Sequence, residues 1–253
     1  MDRLIYTALN ALAVNRDSQV TQAQNLANQM VPGFRRDLPN EGETFYLNMP
    51  GSMVPKAFNL EKGQAGFSNQ LGLLNRTDEE LDVAIADQGY FYVQPEQGDP
   101  ALSRRGDLRR DVDGTLRNGA GEAMLGPDLA PIQLPEYRNV RITDIGEIFI
   151  EPLDAVGGEA VLAGVLATVL PAEDLKLTKG LDGQIRPVDG PLPPPDQRAE
   201  VLQGTLEGSN VNPVEELLSS MEMQRQFELG MRMVMTARDI DEGGARVLQA
   251  PEG

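Results

Sequence analysis

Between Asp2 and about Met30, apolar and amide positions recur with a period of seven. Ile5, Leu12, Gln19 and Leu26 fall on one line, with Ala8, Asn15 and Gln22 beside them. That period predicts a helix with a single contact stripe. The stretch holds no Pro and no Gly, so the helix can run unbroken for roughly 40 Å, and Pro32-Gly33 predicts its end. The stripe is thin and made mostly of small and amide residues, which suits close helix–helix packing better than a core of its own. A second helix is predicted from Asn212-Pro213, with Asn212 as N-cap and Pro213 at the first helical position. Glu215 and Glu216 stand in its first turn, where the helix dipole favours acids. Leu217, Met221, Gln224, Met231 and Val234 form its stripe, widened by Leu218, Phe227 and Met235, and Gly243-Gly244 predicts its end.

The middle of the chain alternates on a shorter period. Asp82–Ala86 and Tyr90–Val93 predict strands around a Gln88-Gly89 turn. Arg141–Thr143 and Glu147–Ile150 flank a turn at Ile145-Gly146, and Asp113-Gly114 signals another, with both residues expected at positive φ. Glu159 to Leu170 is a longer β-branched run interrupted by Gly164, and Leu175-Lys176-Leu177 is a further candidate. Short strands with closely spaced turns predict a small, irregular β domain. Residues 35–69, rich in Gly and Pro, read as a long loop, and Pro193–Pro195 as a linker.

Composition narrows the chemistry. The 253 residues contain no His and no Cys. That excludes Ser-His-Asp and Cys-His nucleophile systems, thiol redox chemistry and a conventional zinc site. The formal charge is -17, from 22 basic and 39 acidic residues, which disfavours nucleic acid and anionic membrane as partners. Mean hydropathy is -0.32. No apolar run reaches the roughly 18 residues of a membrane helix, so no membrane insertion is expected. No basic segment followed by an apolar stretch opens the chain, so no cleaved secretory signal is expected.

Asp111-Val112-Asp113-Gly114-Thr115-Leu116 resembles an aspartate-nucleophile phosphatase motif. Such a motif needs a buried strand before the first Asp, and Asp107-Leu108-Arg109-Arg110 is not one. Asp111, Asp113 and Glu122 match positions 1, 3 and 12 of a calcium loop, but Leu116 stands where the loop needs Gly. A hairpin turn accounts for the segment, and neither a catalytic residue, a metal nor a cofactor is expected. A carboxylate-based hydrolase would need two acids converging in one pocket. Arg104-Arg105 and Arg109-Arg110, interleaved with acids, read as a solvated face with local ion pairs.

Three blocks resemble the bacterial flagellar rod and hook family. Asn25-Leu26-Ala27-Asn28 followed by Gly33-Phe34-Arg35 is similar to N-L-A-N-x-x-T-x-G-F-[KR], with Val31 in place of the usual Thr. Leu81-Asp82-Val83-Ala84-Ile85, Gly89-Tyr90-Phe91, Arg105-Gly106, Asp113-Gly114 and Leu116 follow the central block. Gln203-Gly204, Glu207, Ser209-Asn210-Val211-Asn212-Pro213-Val214-Glu215-Glu216 and Gln224–Glu228 follow the terminal block. The opening Met1–Ala8 points within the family to proximal-rod members rather than distal-rod or hook members.

The resemblance implies a non-enzymatic axial subunit of the basal-body rod. It would leave the cell through the flagellar type III export apparatus without a cleaved signal and assemble helically in the periplasm. Its partners would be other proximal and distal rod subunits and copies of itself. The implied fold is α+β: long N- and C-terminal helices pairing as a coiled-coil-like bundle, with a central β-rich domain. The expected layout is an assembly domain of residues 1–34 and 208–253, an extension over 35–69 and the β domain over 70–207. Ile5, Leu12, Gln19, Leu26, Leu217, Met221, Gln224 and Met231 are the expected assembly positions. Asn25, Leu26, Ala27, Asn28, Gly33, Phe34, Asn210, Val211 and Asn212 carry the family motif.

Overall fold

A computed structural model describes residues 2–39, 43–47, 56–60, 66–153, 159–180 and 182–249. Helix α1 (Asp2–Ala27) is followed by β1 (Glu43–Leu47), β2 (Lys56–Leu60), β3 (Leu74–Arg76), β4 (Val83–Ile85), β5 (Tyr90–Gln94) and β6 (Ala101–Ser103). Then come β7 (Leu108–Arg110), β8 (Leu116–Asn118), β9 (Ala123–Met124), β10 (Tyr137–Ile142), β11 (Glu147–Pro152) and β12 (Val161–Val165). The chain continues through β13 (Thr168–Val169), β14 (Leu177–Lys179), β15 (Ile185–Pro187), β16 (Val201–Gln203) and β17 (Thr205–Glu207) to α2 (Pro213–Gln249). It divides into two units. The first is Met1–Ala27, Asp37–Gly66 and Asn212–Gly253; the second is Asn28–Arg36 and Phe67–Val211.

In the first unit α1 and α2 run antiparallel along one another. Asn15 Nδ2 donates to the Met223 carbonyl at 3.0 Å, and Leu12 lies against Gly230, where an added Cβ would sit 3.0 Å from Leu12 Cδ2. The α+β class holds, but the expected coiled-coil-like bundle does not form. There are two helices among the described residues, and their seam is not the apolar stripe of α2. The α2 positions turned inward are Glu216, Ser219, Met223, Gly230, Val234 and Ala237, while Leu217 and Met221 are exposed at 53% and 69%. Gly and Ala let the backbones approach, but they leave no knobs to fill coiled-coil holes. Helix α2 also passes through Gly243-Gly244 to Gln249. A mid-helix Gly costs only about 1 kcal/mol, less than the gain from continuing among helix formers. Within the stretch read as a loop, β1 and β2 pair antiparallel with Phe45 opposite Phe58, and β2 lies beside α1. No described helix is long and apolar enough to cross a membrane.

The second unit is built on β5. Phe91 and Val93 enter one apolar cluster with Ile85, Leu116, Leu134 and Ile148. Tyr90 and Tyr92 enter another with Leu102, Leu125 and Ile185. Alternate side chains of one strand therefore fill both faces, and all four are at most 3% exposed. The largest sheet runs β14-β15-β6-β5-β9-β8-β7, with β13 also on β5. A three-stranded sheet β10-β11-β12 and two ribbons, β16-β4 and β17-β3, complete the unit. Pro193 is not free linker: its carbonyl accepts the Tyr92 hydroxyl at 2.5 Å, and Leu192 packs on the second cluster.

Several strand reversals repeat one device. At 111–115, 118–122, 143–147 and 180–184 the fourth residue donates its N–H to the carbonyl of the first, and the N–H of the first donates to the carbonyl of the fifth. The fourth residue is Gly114, Gly121, Gly146 or Gly183, each at positive φ. This is a type I turn with a left-handed fourth residue. Only Gly114 needs positive φ at the first turn; Asp113 does not share it. Residues 126–130 use the same bonds with Leu129 in the left-handed position, at φ 58. An L-residue there is held at a cost of about 1–2 kcal/mol. Leu129→Gly is therefore expected to stabilise the protein by about 1 kcal/mol, after the entropy Gly adds to the unfolded chain. A higher urea midpoint at unchanged slope is the readout, and a lower midpoint would show that Leu129's side-chain contacts outweigh its backbone strain.

Candidate functional site

The three family blocks converge on one carboxylate inside the second unit. Glu207, at the end of β17, is 2% exposed. Its Oε1 meets Arg35 Nη1 at 3.1 Å and its Oε2 meets Arg104 Nε at 2.5 Å, with all three side chains 1% exposed. Gly72 N–H donates to Oε1 at 2.7 Å, and Gly33 N–H donates to the Glu207 carbonyl at 2.8 Å. Gly33 is obligatory here. Its φ is +67, and a Cβ would stand 2.4 Å from the Arg104 carbonyl.

Two guanidinium groups face one carboxylate, so the cluster carries a net positive charge in an apolar setting. Backbone carbonyls supply the missing negative potential. Arg104 Nη1 donates to Asp87 O at 2.7 Å and also to Gly89 O, and Nη2 donates to Ile85 O at 2.7 Å, so its fork closes the β4–β5 turn. Arg104 also lies over the Tyr90 ring at 5.8 Å. Arg35 Nη1 donates to Gln70 O, but its Nε and Nη2 find no acceptor among the described residues. Burial lowers the Arg35 pKa, Arg104 adds repulsion, and Glu207 opposes both. Burial raises the Tyr90 pKa against the pull of the two arginines. Lys179 Nζ caps the segment, 3.7 Å from the Phe34 ring centre and donating to Arg35 O at 2.9 Å.

The motif asparagines act as backbone surrogates. In the first unit Asn25, 1% exposed, accepts from Asp37 N at 2.8 Å and donates to Asp37 O at 2.9 Å. In the second, Asn210 accepts from Arg36 N at 2.6 Å and donates to Ser68 O and Gln70 O. Val211 is buried and Asn212 accepts Val214 N at 3.1 Å, an N-cap bond. Leu26 and Asn28 are half-buried and Ala27 exposed.

Of the expected assembly positions, Leu12, Gln19 and Leu26 are half-buried on α1, while Leu217, Met221, Gln224 and Met231 are exposed on α2. Ile5 lies on α1 where side chains are outside the described set. The solvated reading of the arginine run holds for Arg105, paired with Asp107 at 2.7 Å, and for exposed Arg109. It fails for Arg104. The available signal was its position directly after the strand Ala101–Ser103, with Glu207 the matching acid in the last block.

Asp111, Asp113 and Glu122 are not brought together. The first two face Arg117 at one end of β8, at 3.0 and 3.9 Å. Glu122, beyond the other end, accepts from Asn118 Nδ2 at 2.7 Å and from Gln184 Nε2. The Thr115 N–H bond holds Asp113 below the usual carboxylate range. Burial pushes Glu122 above its ordinary 4.5, against the bonds from Asn118 and Gln184 and the pull of Arg105.

Comparison with known proteins matches the sequence to a family. The profile "Flagellar hook protein FlgE/F/G D1 domain" matches residues 84–150, and "Flagellar basal body rod FlgEFG protein C-terminal" matches residues 202–247. The chain is 30% identical to the flagellar basal-body rod protein FlgF of Escherichia coli K12, over 94% of this chain and 95% of the relative. It is 29% identical to FlgF of Salmonella typhimurium, over 98% of both. It is 28% identical to the rod protein FlgG of Agrobacterium fabrum, over 92% and 96%.

Removing Glu207 strands two buried cations, so Glu207→Ala is expected to cost about 3–5 kcal/mol in chemical unfolding. Arg76→Ala, which breaks an ion pair whose side chains are 83% and 73% exposed, is expected to cost under about 1 kcal/mol; equal costs would deny the cluster its weight. For Glu122 the folded state holds the proton more tightly than the unfolded state. Its stabilising contribution is therefore full below about 4.5 and lost as pH rises through the folded value. The stability of wild type relative to Glu122→Gln should accordingly fall as pH rises above 4.5, and a rise there would reverse the assignment.

Proposed function

We infer function from one premise: the chain belongs to the flagellar basal-body rod FlgEFG family. It is a structural, non-enzymatic subunit of the flagellar basal-body rod, and it associates there with other rod subunits. Our finer reading is a proximal-rod subunit that self-assembles helically through its terminal helices and transmits torque from motor to hook. It reaches the periplasmic rod through the flagellar type III apparatus. In this reading residues 1–34 and 208–253 are the assembly domain and 70–207 the body.

The observation that carries the reading is the outer face of α2. Val214, Leu217, Leu218, Met221, Met233 and Met235 are each more than half exposed. Isolated monomers seldom leave so many large apolar side chains of one helix uncovered. Methionine suits a surface that must pack against several slightly different neighbours, because its thioether chain is flexible and polarisable. The inner seam, built from Asn15, Gln22, Gly230 and Ala237, holds two helices together but leaves this stripe for other copies. Head-to-tail contacts that do not close give an open helical tube. The FlgG relatives supply the competing position, a distal-rod subunit, and immunolabelling of purified basal bodies separates the two.

Met221→Asp is expected to abolish rod incorporation and swimming, because a charge in a packed seam costs several kcal/mol. The purified variant should keep the wild-type near-ultraviolet circular dichroism, since Met221 is 69% exposed in the single chain. Loss of that signal would place Met221 in the subunit's own core. Normal swimming would remove the α2 face from assembly.

A further inference from the structure

Residues 70–74 form a strap across the Glu207 cluster, and the strap is inside out. Its backbone is consumed by buried polar groups. Gln70 O accepts from Arg35 and from Asn210 Nδ2. Gly72 N–H donates to Glu207 Oε1, and Leu73 O accepts from Gly208 N at 2.8 Å. Gly72 is pressed so close that a Cβ would overlap the Gly208 carbonyl, at 1.9 Å. With the backbone facing inward, the leucines face out: Leu71 is 42% exposed, Leu73 80% and Leu74 44%. Folding alone gains little from three leucines held in water on a rigid strap.

We propose that this strap is a second assembly surface, seated in the rod against the exposed Leu217–Met221 stretch of α2 from a neighbouring copy of this chain. The proposal rests on the rod reading. Three observations select that occupant. The second unit carries 14 basic and 25 acidic residues, a net of 14 − 25 = −11, so two copies repel over most of that surface. Residues 63–75 contain no charge, and neither do residues 217–221. The two surfaces are uncharged, apolar and unlike one another, and pairing unlike surfaces leaves each copy a free surface for the next, which gives an open helix wherever the rotation does not close. Strap against strap would be a two-fold contact that closes at two copies and ends growth.

The chain has no cysteine, so introduced thiols are unique. Copies carrying Leu73→Cys and tagged copies carrying Met221→Cys would be co-expressed, and their purified basal bodies treated with a short bis-maleimide. A cross-linked species containing one tagged and one untagged chain is the expected product. A link between two Leu73→Cys copies, or no link at Leu73→Cys while Met221→Cys copies do link to each other, would overturn the strap while leaving the rod reading intact. Wild-type protein absent from basal bodies would sink the rod reading itself. A second arm guards against failed folding. Leu73→Ser is expected to lower the copies per basal body about tenfold, the equivalent of one leucine's burial, with an unchanged unfolding midpoint. Leu73→Met should restore incorporation. Wild-type incorporation of Leu73→Ser would overturn the proposal.

Discussion

One carboxylate holds the second unit in register. Glu207 meets Arg35 from the first family block, Arg104 from the stretch spanned by the second and the Gly72 N–H from the strap, while its own carbonyl receives Gly33. Segments more than a hundred residues apart are therefore fixed by one side chain. A buried ion cluster is weak evidence of net stability, since desolvation consumes most of the Coulombic gain. Its consequence is uniqueness of arrangement. Shifting any of the three segments would leave a buried charge unpaired, and that costs far more than a slipped apolar contact. The carbonyls of Ile85, Asp87 and Gly89 around Arg104 extend the same constraint to the β4–β5 turn and so to β5, on which both apolar clusters are built.

The first unit follows the opposite rule. Its helix seam has few large apolar contacts, and side-chain amides and small residues do the joining. An isolated helix gains little until it packs, so a helix pair joined this way keeps much of its potential burial in reserve. The reserve is visible as the α2 stripe. On the proposed reading, a subunit whose body is fixed by a charged cluster and whose helices complete their burial on neighbours can remain single before assembly and become ordered within it.

Much of this was legible in the sequence. The period of seven in residues 2–30 marks α1, and Asn212-Pro213 marks the start of α2 because capping chemistry is local. The strands around Gly89 and Gly146 follow from alternation and turn residues. What escaped was non-local. Whether Arg104 or Arg105 is buried depends on Glu207, about a hundred positions away, and both arginines look alike in a charged run. The α2 stripe was visible as apolar periodicity, but periodicity cannot say whether the stripe turns toward its own partner helix or toward another molecule. Gly243-Gly244 misled for a related reason: the glycine penalty is small beside the gain of continuing a helix already nucleated over thirty residues.

The turns complete the constraint on the body. Four reversals place Gly at the left-handed position, and one holds Leu129 there at a cost. Such turns set strand register by geometry, so the body does not depend on long strands; most of its strands have only two or three residues. Short strands alone would make a soft domain. Five reversals with fixed geometry and a charged cluster that joins distant segments hold them in register instead. In the assembly we propose, a body held in register and helices with uncovered apolar side chains are complementary: the body keeps its arrangement, and the helices gain burial when a neighbour arrives.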